Sequence, residues 1–157
     1  MIVKNIIDED VSNYQRISMF IGFPHCSFKC EKECGQKMCQ NSILAKAPDI
    51  EVPCEDIVNR YMENPITSAV VCGGLEPFDD FDDLLLLVKL LRERTDDDIV
   101  IYTGYCVDEI LNQISQLKKY PNIVIKFGRY VPGKKSHYDD VLGVTLASDN
   151  QCAGRIS

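Results

Sequence analysis

Short apolar runs alternate along this chain with longer stretches in which apolar residues recur at helical spacing. Ile17-Ser-Met-Phe-Ile21, Ser68-Ala-Val-Val-Cys72, Ile99-Val-Ile-Tyr-Thr103, Asn122-Ile-Val-Ile-Lys-Phe127 and Leu142-Gly-Val-Thr-Leu146 read as strands. Most are apolar on both faces, the pattern of buried parallel strands. Pro53 to Met62, Asp79 to Arg94 and Val107 to Leu117 set apolar residues at helical spacing and charge elsewhere, and read as helices. The order, mainly β-α-β-α-β-α-β, requires crossover connections and predicts an α/β fold with a mainly parallel sheet. No repeat, linker or low-complexity tract divides the chain, so one domain over residues 1–157 is expected.

The loops after these strands carry the chemistry. After the first lies Cys26-Ser-Phe-Lys-Cys30-Glu-Lys-Glu-Cys34-Gly-Gln-Lys-Met-Cys39, and after the second Gly73-Gly74-Leu75-Glu76-Pro77. Thr103-Gly104-Tyr105, Gly128-Arg129-Tyr130 and Ser148-Asp149-Asn150-Gln151 follow the others. In parallel α/β folds the C-terminal strand ends form one rim where ligands bind. Segments distant in sequence are therefore expected to converge there, with the cysteines at the edge. Asp79-Asp-Phe-Asp-Asp83 reads as helix-start carboxylates that cap N–H groups and meet the helix dipole.

Composition narrows what the cysteines do. The N-terminus lacks the apolar core of a signal peptide and no stretch approaches a membrane span, so a cytoplasmic protein without a membrane partner is expected. In that compartment thiols stay reduced, and clustered cysteines read as metal ligands. At 157 residues and 45% hydrophobic content the chain can bury a core without cross-links. A net charge of -7, with no basic cluster larger than Lys134-Lys135, argues against a nucleic-acid ligand. Four-thiolate zinc sites usually combine two close pairs on separate turns, which the gaps of three, three and four residues here do not supply. An iron-sulfur cluster held by three thiolates leaves one iron open for a ligand.

The opening Cys26-x3-Cys30 after a first strand, the Gly73-Gly74-Leu75-Glu76-Pro77 segment, Thr103-Gly104-Tyr105 and the terminal Ser148-Asp149-Asn150-Gln151 occur in family order. Together they resemble the radical S-adenosylmethionine superfamily, and within it the small activating proteins of anaerobic (class III) ribonucleoside-triphosphate reductases. The likeness runs from about Phe20 to Gln151. It implies an incomplete β/α barrel with a 4Fe-4S cluster and S-adenosylmethionine at the strand ends. It further implies cluster ligation by Cys26, Cys30 and a third cysteine, and cofactor contacts from Gly73, Gly74, Glu76, Thr103 and Asn150. For Thr103 and Asn150 the alternative role is that of turn and cap residues. The implied activity is generation of a 5′-deoxyadenosyl radical that takes hydrogen from a glycine of the large reductase subunit. A flavodoxin or ferredoxin would supply the electron.

Three departures set this chain apart. No cysteine stands three residues after Cys30, so either Cys34 or Cys39 is the third ligand; Cys39 is favoured because apolar Met38 precedes it and Cys39-Gln40-Asn41 resembles the family's Cys-x-Asn. Leu75 interrupts the Gly-Gly-Glu segment, and Phe127-Gly128-Arg129 stands where the activators have Asp-Gly-Pro. Two other readings stay open: a radical enzyme acting on another protein or peptide, and a zinc-binding interaction module. Tyr105 and Tyr130 read as packing or partner contacts, and neither His25 nor His137 is needed by the motifs. Cys54, Cys72, Cys106 and Cys152 read as small buried hydrophobes.

Overall fold

The computed structural model describes all 157 residues. Strands β1 (Ile2–Val3), β2 (Asn5–Asp10) and β3 (Ser18–Phe23) precede the cysteine segment, which holds the short helices α1 (Lys29–Cys34) and α2 (Ser42–Ala45). Next come β4 (Ile50–Glu51), α3 (Cys54–Glu63), β5 (Ala69–Gly74), α4 (Phe81–Arg92), β6 (Asp98–Tyr102), α5 (Leu111–Leu117) and β7 (Ile123–Phe127). The chain closes with β8 (His137–Asp139), β9 (Val144–Leu146) and β10 (Cys152–Arg155).

The expected mixed α/β architecture with a mainly parallel sheet is present. Six strands lie in the order β10-β7-β6-β5-β3-β2, with β3, β5, β6 and β7 parallel and both edge strands antiparallel. The predicted run 142–146 is not part of that sheet. Gly143, in the left-handed region at φ 71°, turns the chain between β8 and β9, which pair as a separate hairpin. One oxygen of Asp139 accepts the N–H groups of Val141 and Leu142, and the other accepts that of Ala153, so the hairpin is tied to β10. β10 and β2 went unpredicted because their composition is that of edges: Cys-Ala-Gly-Arg and Asn-Ile-Ile-Asp-Glu-Asp lack a continuous apolar run.

Alternation along the strands sorts side chains to two faces. Met19, Ile21, Phe23, Val70, Cys72, Ile99, Ile101, Ile123, Ile125 and Phe127 join the larger core, covered by helices. In α4, Leu84, Leu87, Val88 and Leu91 are buried, and in α3 Cys54, Ile57, Val58 and Tyr61 are, both at the spacing of one helical stripe. Val71, Val100 and Val124 face the other way, into a smaller core with Tyr14, Leu142 and Leu146 from the 11–16 loop and the hairpin. That second face is only partly filled, and its unfilled part is the site. No helix is long and apolar enough to cross a membrane.

Candidate metal and cofactor site

A cavity of about 320 Å³ opens over the second face at the C-terminal ends of the parallel strands. Its wall brings together Cys26, Cys30 and Cys39 with Gly73, Gly74, Glu76 and Thr103. Cys34, the last residue of α1, is exposed and lies outside the wall.

The loop carrying Cys26 is clamped to the start of α4. Asp79 accepts the Ser27 N–H at 2.6 Å and the Tyr105 hydroxyl, while Asp80 pairs with the His25 ring at 2.6 Å. The Glu76 N–H donates to the His25 carbonyl at 2.8 Å, tying the same loop to β5. The acidic run therefore does not cap α4 through its side chains, as its sequence suggested; Asp80 at the cap position makes no such bond. Its first two carboxylates, on a 3₁₀ turn over Pro77–Asp80 ahead of α4, hold the cysteine loop instead. Phe28, at φ 51°, bends the backbone so that its N–H reaches the Cys26 sulfur at 3.2 Å. Lys29 and Arg129 lie over the Tyr105 ring, Arg129 forks onto Glu109 at 2.9 and 2.6 Å, and Lys29 reaches the same carboxylate at 3.3 Å.

The glycines form the floor. A Cβ on Gly73 would stand 3.0 Å from the Phe20 ring, and one on Gly74 would stand 2.8 Å from the Gly22 Cα at a φ of 85°. Any side chain at these positions therefore displaces the floor or strains it. Glu76 is buried, and its carboxylate accepts from the Thr103 hydroxyl at 2.7 Å, the Phe78 N–H at 3.2 Å and the Gly104 N–H at 2.8 Å. Burial pushes its carboxyl up to about 7, against those three donors. Thr103 thus anchors Glu76, and its hydroxyl also accepts the Tyr105 N–H at 3.0 Å.

Asn150 does not reach the cavity. It is exposed, and its amide donates to the Arg129 carbonyl at 2.7 Å, while its neighbour Gln151 is buried in the wall. The connection from β9 to β10 turns Asn150 outward because Gln151 faces in: its amide donates to the Gly128 carbonyl and accepts the Ser148 N–H. Sequence reasoning also missed Lys126, Tyr102, Phe20 and Asn13 in the wall. Lys126 had a signal, a lone charge inside an otherwise apolar strand. Its ammonium is buried and donates to the Gly128 carbonyl at 2.8 Å, and burial pushes it down to about 8. Of the remaining cysteines, Cys54 and Cys72 are buried as expected; Cys106 and Cys152 are exposed, since one starts a surface turn and the other sits on the edge strand.

Burial pushes the Cys26 thiol up to about 11, with Glu76 and Asp79 adding to the effect, and Cys30 is raised by burial as well. All eight cysteines are free thiols. No three His, Cys, Asp or Glu side chains close around a single point as one metal ion would require. Cys26, Cys30 and Cys39 put three soft sulfur donors, the ligand type of iron-sulfur clusters, on the wall of one cavity.

Thiols on a cavity at the strand ends of a mainly parallel sheet make this an α/β protein with the donor set of a cysteine-ligated site. Residues 15–151 match the family model described as a 4Fe-4S single cluster domain, and the chain belongs to that family. No curated protein and no solved structure matches it.

Proposed function

We propose that this chain is a radical S-adenosylmethionine enzyme that activates a glycyl-radical partner, the large subunit of an anaerobic ribonucleotide reductase. The observation that carries the reading is the convergence of Cys26, Cys30 and Cys39 with Gly73, Gly74, Glu76 and Thr103 on one cavity. These are the segments whose order in the sequence resembles that superfamily. The sheet serves as an incomplete β/α barrel, with the cavity on its inner face.

In this reading Cys26, Cys30 and Cys39 hold a 4Fe-4S cluster with one iron open. The chemistry supplied by a bound, reduced cluster is one-electron cleavage of S-adenosylmethionine to methionine and a 5′-deoxyadenosyl radical, which takes hydrogen from a glycine of the partner. The chain's own residues bind and orient. Gly73 and Gly74 let the methionine moiety lie against the backbone. Glu76, held by Thr103 and Gly104, would receive its ammonium group, whose positive charge would favour the ionised carboxylate. Gln151 lines the wall, and Asn150 acts beside it by holding the Arg129 backbone. Val144 to Ala147, from β9 and the residue after it, and Arg129, held by Glu109, line the cavity and would help keep water from it. A flavodoxin or ferredoxin supplies the electron in the cytoplasm.

Phe127-Gly128-Arg129 favours one second reading, the same chemistry on a different protein or peptide, because Arg129 occupies the cavity wall where reductase activators have proline. Anaerobic reconstitution followed by reduction with S-adenosylmethionine tests both. Formation of 5′-deoxyadenosine and methionine is expected, with a glycyl-radical resonance when the reductase subunit is added. A fully loaded cluster that yields no 5′-deoxyadenosine contradicts the enzyme reading. Cleavage without a radical on the reductase shifts the case to the second reading.

A further inference from the structure

Eight residues separate Cys30 from Cys39, too many for a short tether to hold the later sulfur in place. α1 carries Cys30 as its second residue and stops at Gly35, whose φ of 65° sends the chain back on itself. Met38 and Cys39 thereby return to the first turn of α1. There a single oxygen of Glu31 accepts the N–H of Met38 at 3.0 Å and the N–H of Cys39 at 3.0 Å. Neither N–H has a backbone acceptor. Beyond them, the Asn41 amide donates to the Gly74 carbonyl, so the returning limb is pinned to α1 at one end and to the glycine floor at the other.

Bonds to a carboxylate are charge-assisted and stronger than neutral ones. Without them, Cys39 would sit at the end of a long flexible loop, and closing that loop would carry an entropic cost each time a ligand forms. Glu31 adjoins Cys30, so its carboxylate couples the positions of two cysteines through a side chain where a shorter spacing would couple them through the chain.

We infer that Glu31 is a positioning residue that presents Cys39 to the cluster in place of a short cysteine spacing. The inference rests on Cys39 as the third ligand. It is tested first in the metal-free chain, where amide hydrogen exchange at Met38 and Cys39 reads the contact without any cluster. In Glu31→Ala, exchange at these two amides should rise by roughly tenfold or more, while β5 and β6 stay protected. After anaerobic reconstitution, iron should leave Glu31→Ala to a chelator faster than wild type by a similar factor. Glu31→Gln, which keeps an acceptor oxygen, should restore most of both. Wild-type exchange in Glu31→Ala overturns the proposal, as does raised exchange with wild-type iron retention, or a Glu31→Gln chain no better than Glu31→Ala. Failure of the ligand reading is distinguishable: Cys39→Ala would then keep its full iron, and the proposal would fall with that reading even if the two amides loosened in Glu31→Ala.

Discussion

The two faces of the central sheet are built from alternate residues of the same strands, yet they do opposite things. On the helix-covered face, Ile99, Ile101, Ile123 and Ile125 are sealed at 1% exposure or less. On the other, the row ends in Phe20, Gly73, Tyr102 and Lys126, and the sheet is left open as a cavity wall. A one-residue step along β7 separates a core isoleucine from a buried ammonium. Along the strands, parity separates sealed packing from the open face, and only near the C-terminal strand ends does the second face change from packing to a cavity wall.

The largest effect belongs to the sealed face. Ile101→Ala removes a fully buried side chain between β5 and β7 and should cost about 2–5 kcal/mol in urea unfolding of the metal-free chain. A loss below 1 kcal/mol would mean that this face is not the stabilising one; the same residue parity should leave cofactor affinity of the surviving folded chain unchanged.

On the cavity face, Glu76 makes stability depend on pH. The folded Glu76 carboxyl titrates near 7 against 4.5 for an ordinary glutamate, raised by burial. Between those values the folded chain keeps a proton that the unfolded chain has released, so stability falls as pH rises from 4.5 to about 7 and then levels. Glu76→Gln should remove this contribution, of order 3 kcal/mol across the window, and flatten that part of the curve. A slope unchanged in the variant would place the titration elsewhere.

Smaller still is the contrast between neighbours on the last turn. Gln151→Ala leaves the buried Ser148 N–H without its acceptor and takes away one of the two donors to the Gly128 carbonyl, and should cost about 1–3 kcal/mol. Asn150→Ala, on the surface, should stay within about 0.5 kcal/mol. Equal effects would erase the inward and outward assignment of the pair. Gly73→Ala should leave stability within about 1 kcal/mol, because the Phe20 ring can give by a few tenths of an ångström. It should still weaken S-adenosylmethionine binding, measured by calorimetry on the reconstituted protein, by roughly tenfold, about 1.4 kcal/mol.

The parallel strands, the three main helices and the convergence of the post-strand loops were legible because buried strands and amphipathic helices leave direct marks in hydrophobic pattern. Edge strands leave weaker ones: β2 is half acidic and β10 nearly featureless, so both were missed. The run at 142–146 proved to be the turn at Gly143 and the second strand of a hairpin, whose first strand, His137–Asp139, is too short and polar to read from the sequence. At the site, residue types pointed to the right segments while side-chain direction stayed hidden. Nothing in Ser148-Asp149-Asn150-Gln151 states which amide turns inward, and the carboxylates of Asp79 and Asp80 look like helix caps until their partners in the cysteine loop and Tyr105 are seen. Glu31 was invisible for a different reason, since its partners are backbone groups seven and eight residues away.

The central claim is that three of the four clustered thiols hold the cluster and that Cys34 is the one left over. Iron counting after parallel anaerobic reconstitution of wild type, Cys34→Ala and Cys39→Ala tests it most directly. About four irons per chain are expected in wild type and in Cys34→Ala, and a clear loss in Cys39→Ala. Full loading of Cys39→Ala with loss in Cys34→Ala would contradict the account.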